Sequence, residues 1–341
     1  MWAVATLTHL ALMWFAAAFA VMRRTFARLL LGPTLPSWSW RTEWVVVAVR
    51  VVIELAARRP DDPVINRFGM RVRAPVPPSL HGSVYVSQVK LRSLDADRYI
   101  RLTDPSDAAT LLYFHGGGYI FGNPGTHRQL IARLVHETDT AAYVPRYRLA
   151  PEHRYPAAVE DGIAAYGTLL DSGHDPASVI ISGDSAGGGL SLATVHRAKR
   201  MGMPLPGGVI LFSPYLDLNH TAYTIPLNAG TDYLPLSELS KPNEWYASAD
   251  QLDDPEVSPL HADLTGFPPM LVFAGGAEMI LDDAVRLKDH ADNAGVDATL
   301  VIEPDMMHVW PAIVPWEPAS QRTFEKCREW IDELPDRSRS G

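Results

Sequence analysis

The chain has 341 residues, 47% of them hydrophobic and 20% charged, which excludes a disordered tail or a disulfide-stapled miniprotein and fits one large domain or two. Its formal net charge of -9 disfavours nucleic acid as a partner, because phosphate binding needs a clustered positive field. The single cysteine, Cys327, excludes an internal disulfide and any CxxC metal or redox site.

The first 60 residues depart from this balance, with seven arginines (Arg23, Arg24, Arg28, Arg41, Arg50, Arg58, Arg59) against Glu43 and Glu54. Trp2 to Met22 is apolar except for Thr6, Thr8 and His9. At about 1.5 Å per residue, it is long enough to cross a hydrocarbon core of about 30 Å. Five of the nine tryptophans (Trp2, Trp14, Trp38, Trp40, Trp44) fall in the same region, and tryptophan with arginine suits a membrane interface. Three readings compete. A secretory signal would explain Ala18-Phe19-Ala20 as a cleavage site, although the basic residues follow the apolar run instead of leading it. A membrane anchor over residues 2–22 would hold Arg23, Arg24 and Arg28 on the cytoplasmic side, leaving the bulk of the chain cytoplasmic and a membrane surface engaged through residues 2–40. An apolar helix could instead cover a cleft of the same protein. The next apolar run, Trp44 to Ala57, has Arg50 and Glu54 at helical spacing and reads as a packed cap helix, with its β-branched density leaving a strand as the alternative.

From about residue 80, short apolar runs alternate with longer helical patterns. Ser83–Val89, Thr110–Phe114, Ala141–Val144, Val179–Ser182, Gly208–Phe212, Met270–Ala274 and Ala298–Ile302 read as strands, most of them buried on both faces. Gln129–Glu137, Pro156–Leu170, Ala186–Arg200 and Ala284–Ala294 read as helices, several ended by glycine (Gly173, Gly202, Gly295). The alternation predicts an α/β sheet with helices on both faces. Residues 219–258 break it with four prolines and one short helix near Ser237–Ala249, and read as an insertion lying over the sheet. The expected organisation is an N-terminal apolar segment and cap helices over 1–80, a core in two parts over 81–218 and 259–341, and the cap insertion between them.

Two glycine motifs stand where strands end. Val179-Ile180-Ile181-Ser182 runs into Gly183-Asp184-Ser185-Ala186-Gly187-Gly188-Gly189 and then a helix, so Ser185 sits at the apex of a strand-turn-helix. His115-Gly116-Gly117-Gly118 follows another strand, and its backbone N–H groups, with that of Ala186, can hold an oxyanion developing in acyl transfer. A phosphate cradle fits less well, because no GxxxxGK[ST] is present. A serine hydroxyl needs a base. Of the twelve histidines, His308 is the one delivered by a loop after a late strand. His115 braces its own glycine loop; His153 and His261 sit in proline-rich loops; and the others default to surface or core roles. For the acid orienting the base, the loop after Met270–Ala274 offers Glu278, Asp282 and Asp283, the last two also suiting the start of a helix by its dipole. Asp184 is expected to shape the serine turn through hydrogen bonds.

Residues 110–310 resemble the hormone-sensitive-lipase-like branch of the α/β-hydrolases, which includes bacterial carboxylesterases. The resemblance rests on His115-Gly116-Gly117-Gly118, Gly183-Asp184-Ser185-Ala186-Gly187-Gly188, Tyr147-Arg148-Leu149-Ala150-Pro151-Glu152-His153, Tyr155-Pro156-Ala157-Ala158-Val159-Glu160-Asp161 and Asp305-Met306-Met307-His308. It implies an α/β-hydrolase fold with a mostly parallel sheet and a helical cap. It also implies Ser185 as nucleophile, His308 as base and the N–H groups of Gly117, Gly118 and Ala186 as oxyanion hole. Relatives commonly carry Asp-Pro-Leu-x-Asp-Glu where this chain has Glu278-Met279-Ile280-Leu281-Asp282-Asp283. Counting back from Gly295 puts the acid on Glu278, with Asp282 in reserve. The implied activity is serine carboxylic-ester hydrolysis on small to medium acyl esters or lipid esters, without metal or organic cofactor. A lactone hydrolase, deacetylase or amidase would use the same residues, and a non-catalytic ligand receptor is the alternative of another class on this fold.

Overall fold

The computed structural model describes residues 2–57, 74–102, 109–236 and 239–334, with side chains throughout except at 2–12, 56–57 and 240–242. Eight strands form one sheet: β1 (Val84–Leu91), β2 (Leu94–Arg101), β3 (Thr110–Phe114), β4 (Ala141–Pro145), β5 (Val179–Asp184), β6 (Gly208–Phe212), β7 (Met270–Gly275) and β8 (Ala298–Glu303). Their spatial order is β1-β2-β4-β3-β5-β6-β7-β8. β2 runs antiparallel to both β1 and β4, and the pairs from β4 to β8 are parallel.

Seven of these strands coincide with the runs read from the sequence, and β2 is an addition. Its Asp95, Asp97, Arg98 and Arg101 hide it among polar segments. It is extended because it completes a hairpin with β1 and because buried Asp97 is paired with Arg146 at 2.9 Å. In the central strands consecutive side chains enter opposite cores, as the twofold period of a strand requires. Leu112, Phe114, Ile181, Leu211 and Val272 belong to one core, which also takes residues of α4 (Ala157–Asp171), α5 (Ala186–Arg200) and α8 (Leu281–Asn293). Leu111, Tyr113, Ile180, Phe212 and Phe273 belong to the other, with α3 (Arg128–Thr138) and α10 (Pro318–Glu333), the latter including the fully buried Cys327.

At the N-terminus, α1 (Trp2–Leu31) and α2 (Trp40–Ala57) pack against each other as a helical hairpin. The strand alternative for Trp44–Ala57 is thereby settled in favour of a helix. The reading of residues 2–22 as a membrane span is corrected: among the described residues no helix is long and apolar enough to cross a membrane. α1 continues through the arginines that would have flanked a span, and two of them turn inward. Arg24 and Arg28 both pair with the buried carboxylate of Glu43 on α2, Arg28 at 2.8 Å. The link between the helices is tied to the core, with Trp38 Nε1 donating to the Asp305 carbonyl at 2.6 Å and Ser39 Oγ to Glu317 at 2.8 Å. Among its described residues, the 219–258 segment holds two short α-helices, α6 (Thr224–Asn228) and α7 (Ser240–Tyr246). One more short helix, α9 (Trp310–Ile313), follows the His308 loop.

Candidate active site

Ser185 stands between β5 and α5 with φ 52° and ψ -123°, a conformation costly for a non-glycine residue that must be enforced by its surroundings. Its N–H donates to the Phe212 carbonyl of β6 at 3.0 Å, and its own carbonyl accepts the N–H groups of Gly188 at 2.9 Å and Tyr215 at 3.0 Å. The turn can be this sharp only if β3 passes close behind it. A Cβ on Gly187 would collide with the carbonyl oxygens of Phe114 and His115, so glycine there is a steric requirement.

The loop after β3 lies beside this turn because β3 and β5 are paired, Phe114 opposite Gly183. Gly117, at φ 120°, lets the chain fold back so that its carbonyl accepts the N–H groups of Ile120 at 3.1 Å and Phe121 at 2.8 Å. Among the described residues, the N–H groups of Gly117, Gly118 and Ala186 donate to no protein carbonyl, which leaves three donors beside Ser185. His115 is buried, hydrogen-bonds to the Gly116 carbonyl at 2.9 Å and stacks on Tyr147, whose hydroxyl donates to the His115 carbonyl at 2.6 Å. Burial pushes the His115 imidazole down to about 3, so it is neutral and serves as a brace for the loop.

Asp184 does not face outward. Its carboxylate is buried under the glycine loop, where it accepts the Tyr113 hydroxyl at 2.7 Å and meets His127 Nε2 at 3.2 Å. Burial works against its charge, but His127 and Tyr113 outweigh burial and hold its pKa below the ordinary aspartate value. His127 is the partner that the sequence did not flag. It precedes α3 in a polar stretch, and nothing in its immediate neighbours announces a contact with residue 184.

His308 is 2% exposed, in the loop after β8, and the Val309 N–H that follows it donates to Ser213 Oγ at 2.9 Å. Ser213 immediately follows Phe212, the acceptor of the Ser185 N–H, so both segments are fastened to one point at the end of β6. His308 Nδ1 lies 3.3 Å from Glu278 Oε2, in a contact fully shielded from solvent. Burial opposes protonation of the imidazole, yet the Glu278 carboxylate more than offsets it and raises the His308 pKa above its ordinary value. Among the three acids offered by the sequence, the one at this position is Glu278. Asp282 sits in the first turn of α8 and makes no ion pair with His308 among the described residues. Asp283 turns away, accepting the N–H of Leu216 at 2.8 Å and of Asp217 at 3.1 Å. A fourth carboxyl, Asp232 in the insertion, is buried within electrostatic reach of His308 and Glu278 and was not singled out by sequence.

The insertion also closes over the glycine loop, with Tyr246 of α7 stacked on Tyr119 at a centroid distance of 3.9 Å. A strained serine, a carboxylate-contacted imidazole and, among the described residues, N–H groups without a backbone acceptor stand on loops that follow β3, β5 and β8, a set of groups that can serve acyl transfer.

A family model described as alpha/beta hydrolase fold matches residues 111–312. The chain is 39% identical to an acetyl-hydrolase of Streptomyces hygroscopicus over 64% of this chain and 74% of that protein. It is 37% identical to an esterase of Acinetobacter venetianus over 67% of this chain and 76% of its relative. The crystal structure of an esterase from the bacterial hormone-sensitive lipase family superposes with a TM-score of 0.76 at 30% identity, covering 87% of this chain and 99% of that one.

Proposed function

The chain belongs to the hormone-sensitive-lipase-like branch of the α/β-hydrolase fold family, and from that premise we propose that it hydrolyses carboxylic esters through an acyl-serine intermediate. In this reading Ser185 Oγ attacks the ester carbonyl while His308 takes its proton. The carbonyl oxygen gathers negative charge against the N–H groups of Gly117, Gly118 and Ala186, and the imidazolium is stabilised by Glu278. His308 returns the proton to the departing alcohol. Water then gives a proton to His308, attacks the acyl carbon, and the acid leaves as Ser185 recovers its hydrogen. The observation that carries the proposal is the buried contact between His308 and Glu278, fastened to the same end of β6 as the strained Ser185.

The acyl group named for the Streptomyces relative is acetyl, which favours short acyl chains for this enzyme. A lipid surface is the second element of the proposal. Phe15, Phe19, Met22, Phe26 and Leu30 follow one another at helical spacing along α1, and all are exposed. A helix with large apolar groups outward, and with Arg24 and Arg28 paired inward, suits in-plane attachment to a bilayer. The test is hydrolysis of p-nitrophenyl esters from acetyl to palmitoyl by the wild type and by Ser185→Ala. Activity greatest on short chains and lost in Ser185→Ala is the expected result. A folded but inactive wild type would instead favour a ligand-binding role on this fold.

A further inference from the structure

Among the described residues, the Glu278 carboxylate accepts no hydrogen bond, and its one polar contact is the 3.3 Å approach of the His308 imidazole. Its aim therefore depends on the backbone turn that carries it, and that turn is held from outside. The four consecutive carbonyls from Gly276 to Met279 each accept a side-chain hydrogen bond from residues 224–231 of the insertion. Asn228 Nδ2 donates to Glu278 at 2.9 Å and to Gly276 at 3.4 Å, Thr231 Oγ1 to Ala277 at 2.9 Å, and Thr224 Oγ1 to Met279 at 2.8 Å. The Met279 N–H donates in turn to Asp232 Oδ2 at 2.8 Å, and Met279 packs with Ala222 and Ile225. Arg50 of α2 anchors this strap to the N-terminal hairpin, its Nη1 reaching the Ala229 carbonyl at 2.9 Å.

Resting on the hydrolase reading above, we propose that Asp232 is a positioning residue for the catalytic acid. By holding the Met279 amide, it fixes the turn that directs the Glu278 carboxylate at His308. A carboxyl this deeply buried costs free energy unless something is gained from it, and the bond to Met279 is its one strong contact with the turn. Its contact with the turn that carries the acid sets what its loss should change. Misaiming the acid weakens the base in the transition state and leaves ground-state binding alone.

The test measures kcat and KM on a p-nitrophenyl ester for Asp232→Ala, Asp232→Asn and Glu278→Gln, and for Asp232→Ala combined with Glu278→Gln. Asp232→Ala is expected to lower kcat on the order of tenfold to a hundredfold, the cost of a small misplacement, with KM nearly unchanged. Asparagine keeps an acceptor for the Met279 N–H, so Asp232→Asn should retain most of the rate. In the Glu278→Gln background the alanine change should have almost no further effect, because the group that it aims is already gone. A loss confined to KM, an undiminished loss in the double variant, or asparagine as damaging as alanine would overturn the proposal. If Asp232→Ala does not fold, Asn228→Ala removes the bond to the Glu278 carbonyl and is read by the same kcat and double-variant criteria. A wild type without Ser185-dependent activity would overturn the hydrolase reading itself, which separates the two failures.

Discussion

Glutamate carries its carboxylate one methylene further from the backbone than aspartate, so a turn built for Glu278 sets its main chain further from His308 than an aspartate turn would. Replacing Glu278 with glutamine keeps the shape and removes the charge that stabilises the imidazolium. The expected loss in kcat is roughly 10³- to 10⁴-fold, as for the amide replacement of a triad acid. Asp282→Asn, remote from the ion pair, should cost far less, and steady-state kinetics on the two variants with unchanged circular dichroism measures the ranking. The pH profile gives a second readout. His308 acts as a base only when neutral, and Glu278 raises its pKa above the usual imidazole value of 6.5. Activity should therefore fall as pH drops through that raised pKa, and the acid limb should move to lower pH in Glu278→Gln. Ser185 and His308 were legible in the chain by their distance from strand ends, whereas spacing left Glu278, Asp282 and Asp283 open and the family resemblance favoured Glu278. His127 and Asp232 were not legible, since their partners lie far away in sequence and no local pattern encodes such pairs.

The elements were legible wherever one period dominated. The β3, β5, β6 and β7 runs are apolar on both faces and α5 starts at the predicted residue, whereas β2 escaped because its charged residues are neutralised only by tertiary partners such as Arg146. α8 begins three residues before its apolar pattern, and Asp283 in its first turn accepts the N–H groups of Leu216 and Asp217. Burial pushes this carboxyl up to about 7, against the two hydrogen bonds that favour its charge. With the folded pKa above the unfolded one, the stabilisation is complete at pH below the ordinary aspartate value. It is lost as pH rises through about 7. Asp283→Asn removes that titration, so melting curves should show the variant gaining on the wild type between pH 5 and pH 8. An unchanged difference across that range would contradict the assignment.

At the scale of the whole molecule, the N-terminal hairpin touches both loops that carry the charged pair. Trp38 holds the Asp305 carbonyl in the His308 loop, and Arg50 holds the strap around the Glu278 turn. Neither contact was legible in the sequence, because the same apolar run and arginines that suit a membrane also suit a packed hairpin. The pairing of Arg24 and Arg28 with Glu43 favours the hairpin. The exposed apolar stripe of α1 is what supports the proposed attachment to a lipid surface. Phe15, Phe19 and Phe26 changed together to serine should abolish co-flotation with anionic vesicles and leave hydrolysis of a soluble acetyl ester intact. Retained flotation would sink the lipid-surface reading.

Cys327 is the chain's one cysteine and is sealed in the core under α10, where burial pushes its thiol far from ionisation. A thiol reagent reacts with it when the packing around α10 opens, because the buried thiol is neither accessible nor ionised. The fold thus contains its own clock: the rate at which a colorimetric thiol probe is consumed reports the opening of the C-terminal helix, with no label to introduce and no second site to confuse the signal.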